Sequence, residues 1–176
     1  MTLTRLPPIL FTPEDLYKAF QDWGCNCGPT SLAVALGITL DKAHWAIPHF
    51  DKRHYTSRVM MVHALRRLGA KFGHMYSQDS KVNWPSYGMV RIQWAGPWTE
   101  PGVPLLARAR HSHWVATATL VGREDRGIYD CNEPHWVVFE DWERMVVPRI
   151  IEECEPEGNG RWWITDAIEI LEPPGV

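Results

Sequence analysis

In Gln21-Asp22-Trp23-Gly24-Cys25-Asn26-Cys27-Gly28-Pro29-Thr30-Ser31-Leu32-Ala33, a glycine-bearing turn delivers a cysteine to the start of a helix. Pro29 suits a first helical turn, and the run to Leu36 is good helix material stopped by Gly37. Unpaired backbone N–H groups and the positive end of the helix dipole favour a thiolate at such a position, moving a cysteine from roughly 8.5 toward 7 or below. Cys27 is therefore the candidate nucleophile, and Cys25 a neighbouring turn thiol. The helix is apolar nearly all round, which makes it a buried one.

Upstream, Thr12-Pro13-Glu14-Asp15 combines a capping hydroxyl, a proline at the first helical position and two acids, and predicts a helix to about Phe20. Downstream, Asp41 is expected to cap a short helix over 42–47, and Thr56 or Ser57 begins another with Val59, Val62, Leu65 and Leu68 as its apolar stripe. The character then changes. Segments 72–76, 89–94, 104–109, 114–121, 127–130, 136–139 and 162–171 are short, rich in β-branched and aromatic residues and separated by turns, so they predict strands. A short helix is expected over 141–147, and the acidic run 152–160 reads as an exposed loop. Helices first and strands second give an α+β fold, with the helical part packed on a C-terminal antiparallel sheet. The 176 residues are one domain's worth of chain, with an N-terminal arm over 1–11 and a tail over 172–176.

A second stretch, His111-Ser112-His113-Trp114-Val115-Ala116, places a histidine at the mouth of an alternating strand. A charged hairpin turn over 122–127 brings Asp130 back beside His113, where an aspartate accepting from the imidazole fixes its tautomer. Thiolate attack on a carbonyl with histidine as acid and base, then hydrolysis of the acyl-enzyme, is the chemistry these groups perform. An oxyanion needs donors: the Cys27 N–H is one, and Gln21, six positions upstream, offers a side-chain amide.

Gln21, Cys27-Gly28-Pro29-Thr30-Ser31-Leu32-Ala33, His113-Trp114-Val115 and Asp130, in that order, resemble the papain-like cysteine peptidase superfamily, most nearly its compact bacterial branch of bacteriocin-leader-processing peptidases. The likeness spans 21–36 and 113–132. It implies a papain-like fold, Cys27 as nucleophile, His113 as base, Asp130 as orienting residue and Gln21 as oxyanion-hole amide. Asp130 is followed by Cys131-Asn132 where the family often has proline, so Asn132 stands as an alternative orienting group. A chain of this size is not expected to carry the export machinery to which that branch is usually fused, so a leader-peptide substrate is not expected to carry over. The same triad also serves acyltransferases, transglutaminases and deamidases, and the fold persists in inactive binding or structural modules, as in a phage or a secretion system.

The remaining features narrow the class. A net charge of -3 gives no reason to expect nucleic acid. The first ten residues carry two prolines where a signal peptide needs an apolar run, and no stretch has eighteen consecutive apolar residues; the expectation is a cytoplasmic protein away from membranes, acting on a peptide or protein. Cys25, Cys27, Cys131 and Cys154 are expected as free thiols. A zinc site can be drawn from the Cys-x-Cys pair with His111, His113 and Cys131, but zinc-type spacings are missing, and no metal or cofactor is expected. His111 reads as exposed, and Asp141-Trp142-Glu143-Arg144 as a solvated helix start. Ten tryptophans exceed what a core of this size needs, and Trp23, Trp94, Trp98 and Trp114 are candidates for walls of a substrate cleft.

Overall fold

The structure, a computed structural model, describes residues 6, 8–75, 84–119 and 125–172. Parts of two expected strands (76 and 120–121), half of the charged hairpin turn (122–124), residues 1–5 and 7 of the N-terminal arm and most of the tail lie outside the described residues.

Five helices come first: α1 Pro13–Trp23, α2 Cys27–Leu36, α3 Leu40–Ala46, α4 Phe50–Arg53 and α5 Arg58–Arg67. α1 begins as its sequence dictates. The Asp15 N–H donates to Thr12 Oγ1 and the Thr12 N–H donates back to the Asp15 carboxylate, closing a capping box. It continues to Trp23, past the expected end, because the stop is Gly24, whose φ of 71° a residue with a Cβ rarely adopts. α3 is capped by Thr39, not Asp41: the Lys42 N–H donates to Thr39 Oγ1, and Asp41 falls in the first turn, where its charge suits the dipole. In α5, Met60, Met61, Ala64 and Leu65 are the buried face, so the stripe is rotated from the expected one and Val59 is exposed. Ser57 sets that rotation by capping the Met60 N–H.

The strands are β1 Phe72–Met75, β2 Tyr87–Trp94, β3 Ser112–Thr119, β4 Arg126–Asp130, β5 Glu133–Val138 and β6 Trp162–Ile170. They form one antiparallel sheet in the order β1-β6-β2-β3-β4-β5. The expected strand at 104–109 is instead a short helix, α6 Leu105–Ala109. Leu-Leu-Ala-Arg-Ala holds no β-branched residue and is strong helix material.

Each face of the sheet carries its own core. On one face Tyr87, Met89, Trp114 and Ile168 pack against α1, α2, α3 and α5. On the other, Val90, Ile92, Val115 and Ile128 pack against Trp142, Val146, Val147 and Ile150. Those last residues belong to a continuous helical segment longer than expected: α7 Phe139–Asp141, a π-helical stretch Trp142–Val146 and α8 Val147–Cys154. Pro148 does not end it, since it falls where the π-helical stretch, closed by the Val147 N–H on the Trp142 carbonyl, gives way to α8. The fold is thus α+β, with helices on both faces of the sheet. No helix among the described residues is long and apolar enough to cross a membrane.

Candidate active site

Cys27 is the first residue of α2, and three contacts hold it there. The Asn26 side-chain amide is buried and donates to the Leu16 carbonyl, fastening the turn to α1. Gly28 lies so close to Thr56 that a Cβ at that position would fall 2.1 Å from Thr56 Oγ1. Trp114 Nε1 donates to the Thr56 carbonyl at 2.7 Å, tying the 54–57 segment to β3. Because the Asn26 side chain points away, no side chain caps the first turn of α2.

His113 opens β3 and is paired with Ile92 of β2. The turn before it is held by Gln93, whose amide donates to the carbonyls of Arg108 and His111, and by Ser112, which donates to Ala109 and accepts from Arg91. The buried imidazole meets Asp130 Oδ1 through Nε2 at 2.9 Å, and it interacts with the Cys27 thiol, raising its own pKa and lowering that of the sulfur. The Trp94 indole lies along the ring, with centroids 6.1 Å apart.

Asp130 ends β4, fully enclosed. Besides His113 it accepts the Asn132 backbone N–H, the Asn132 amide and Trp142 Nε1, all at 2.9–3.0 Å. Asn132 therefore bonds the carboxylate, and the carboxylate meets the histidine. Burial works against a charge on Asp130, but the His113 imidazolium and these donors hold its carboxyl below the ordinary range. Burial likewise opposes a charge on His113, yet the charge of Asp130 and their hydrogen bond carry its pKa up to about 10.

The two turn thiols form a coupled pair. The Cys25 pKa is lowered, chiefly by a hydrogen bond from the Cys27 thiol and further by the Cys27 backbone N–H, against the effect of burial. That of Cys27 is raised well above the ordinary value, first by the same hydrogen bond to Cys25 and then by burial, with His113 acting the other way. This runs against the expectation that the helix N–H groups and dipole lower Cys27: a charge on one sulfur opposes a charge on its neighbour, and Cys25 is the more acidic of the two.

The other candidates divide. Trp114 lines an open cleft of about 430 Å³ above Cys25 and Cys27, with Ser112 and Thr56 beside it. Trp98 instead stacks on His111, centroids 3.6 Å apart, and donates to the Trp94 carbonyl. Trp23 stacks on His44 and packs edge-on to Phe50 within the helical layer, away from the cleft, because α1 continues through it. Gln21 is exposed in the last turn of α1 and has no side-chain hydrogen bond among the described residues. His111 is not the exposed residue expected: its Nδ1 lies 2.6 Å from Glu155 Oε2, and Glu155, expected in an exposed loop, is buried.

Sequence reasoning missed two parts of the site. Trp142, read as the start of a solvated helix, is fully buried and donates to Asp130. The spacing of Trp142, Val146 and Ile150 was the available signal. The second is the basic rim of the cleft, which comes from α4 and from Arg110. For metal binding, the described residues gather His113, Asp130 and Cys131, with ligand atoms within 4.8 Å of one another. Two of these three are already hydrogen-bonded to each other, and burial with the nearby Asp130 charge pushes the Cys131 thiol up.

Fold and site together define an α+β protein with a Cys–His–Asp relay at a helix N-terminus. No protein-family model matches the chain, and none of the curated proteins is significantly similar to it.

Proposed function

We propose that this protein is a papain-like cysteine peptidase, and that Cys27, His113 and Asp130 are its catalytic triad. The observation that carries the reading is one connected cluster: a thiol at the first residue of a buried helix, interacting with an imidazole whose Nε2 is held by an enclosed, triply supported carboxylate. A buried carboxylate given four donors is there to keep a histidine oriented and charged.

In this mechanism Cys25, the more acidic of the two thiols, ionises first, and Cys27 becomes the thiolate by passing its proton across the sulfur–sulfur hydrogen bond to Cys25. Cys27 attacks the amide carbonyl, and His113 gives its proton to the leaving amine. The Cys27 N–H, which donates to the Cys25 sulfur at rest, turns to the oxyanion; Gln21 is assigned as the second donor, swinging in from the end of α1. Water, activated by the now neutral His113, releases the acyl group. Asp130 stays ionised throughout.

The test is to trap the acyl-enzyme. Incubation with an activated peptide ester is expected to leave the acyl mass on Cys27 in the peptide map and none in Cys27→Ala. Decay of the adduct in water alone supports hydrolysis. Decay only on addition of an amine moves the assignment to an acyltransferase, and no adduct on Cys27 refutes it.

A further inference from the structure

The cleft over Cys27 has a charge opposite to that of the protein as a whole. The chain carries a net charge of -3, yet the residues lining the cleft include Lys52, Arg53 and Arg110 and no carboxylate. Among the described residues neither Lys52 nor Arg110 has a side-chain hydrogen bond or ion pair, and Arg53 donates to the Tyr55 hydroxyl at 2.7 Å. The acidic groups nearby are turned elsewhere. Asp51, next to Lys52, lies 2.8 Å from His44 Nε2, and Asp166 pairs with Arg58 and with Arg91, which sits beneath Ser112.

The segment that presents these cations is held in place. His49 and His54, on either side of α4, adopt left-handed backbone conformations with φ of 60° and 53°, which non-glycine residues rarely do. His54 is fixed by its Nδ1 meeting the Trp23 carbonyl at 2.8 Å, and Thr56 by Gly28 and Trp114. A cluster of uncompensated cations on a strained, fastened segment costs self-repulsion that a bound anion relieves.

We infer that the cleft recognises a carboxylate close to the scissile carbonyl, making acidic peptide segments the substrate class. The inference rests on the proposed function, since it places that carboxylate beside the Cys27 nucleophile. Lys52 and Arg110 bind it, Arg53 adds to the field, and Trp114 forms the apolar floor.

Two alkylating agents with the same reactive carbon and different charge test this: iodoacetate and iodoacetamide, with modification of Cys27 and of the exposed Cys154 followed by peptide mapping at low ionic strength. The iodoacetate-to-iodoacetamide rate ratio is expected to be higher at Cys27 than at Cys154. Lys52→Glu and Arg110→Glu are each expected to lower the Cys27 ratio about five- to tenfold, the effect of reversing a unit charge at ~7 Å in water. Lys52→Arg is expected to keep it, and circular dichroism reports whether each variant is folded.

A ratio at Cys27 no higher than at Cys154, or one that the folded reversals leave unchanged, overturns the inference while fast iodoacetamide labelling of Cys27 leaves the nucleophile standing. Slow labelling of Cys27 by both reagents overturns the nucleophile and the inference together. Peptidyl vinyl sulfones bearing Glu or Gln next to the reactive group then separate the two sources of the carboxylate. Preference for Glu assigns it to a side chain; equal rates with Glu and Gln, together with faster reaction of a probe ending in a free carboxylate than of its amide, assign it to a chain terminus, and no preference in either pair overturns the inference.

Discussion

Replacing Asp130 with Asn removes one charge from an enclosed site and preserves its shape, so it isolates what the carboxylate does to His113. In the wild type the His113 pKa is raised from 6.5 to about 10. A group raised on folding adds stability that is complete below its unfolded value and is lost as pH climbs through its folded value. At about 1.36 kcal/mol for each tenfold change in proton affinity, the stabilisation from His113 is at most ~5 kcal/mol, shared between Asp130 and the thiol pair. Wild-type stability should therefore be highest below pH 6.5 and decline toward pH 10. In Asp130→Asn burial becomes the foremost influence on the imidazole, opposed by the thiols and by the charge of Glu155. Burial favours its neutral form, so the decline should flatten or reverse, with stability rising through pH 6.5. Guanidinium unfolding at half-unit pH steps, followed by tryptophan fluorescence, measures both curves. Parallel wild-type and variant curves between pH 6.5 and 10 would refute the coupling of Asp130 to His113.

Other outcomes follow from the same geometry. On the acid side the lowered Asp130 adds stability present above its unfolded value near 3.8 and lost as pH falls through its folded one, so Asp130→Asn should be relatively less acid-sensitive in the same titration. Trp142→Phe should cost about 1–3 kcal/mol in thermal or chemical unfolding, since it removes a buried hydrogen bond to an ionised acceptor and leaves a small void. Cys25→Ala removes the foremost group raising Cys27, so the pH midpoint of Cys27 alkylation should fall; a midpoint that stays or rises would contradict the coupling of the two thiols. Gln21→Ala should reduce kcat on the order of a hundredfold if its amide reaches the oxyanion. An unchanged kcat would remove Gln21 from the site.

Much of the site was legible because its parts are local. A proline-bearing helix after a glycine turn locates Cys27, and an alternating strand with a hairpin return locates His113 and Asp130. What sequence could not supply came from long-range packing. The Trp142 bond to Asp130 joins a helix on the far face of the sheet to β4, and only the paired strands bring them together. The choice between Asp130 and Asn132 turned on side-chain direction two residues apart, which the interrupted pairing between β4 and β5 sets at Tyr129 and Asp130. Glu155 and His111 were misread for a similar reason: a charged residue in an acidic run looks solvated until its partner, 44 positions away, is known. The misplaced strand over 104–109 failed differently, because short apolar runs carry no reliable period.

The most direct test of the relay is the rate of Cys27 alkylation by iodoacetamide at pH 7, compared with Cys154 in the same molecule and repeated in His113→Ala. Cys27 should react at least tenfold faster than Cys154 in the wild type, and no faster than Cys154 once the imidazole is gone. Equal rates in the wild type, or a fast Cys27 that survives the loss of His113, would contradict a nucleophile activated by that histidine.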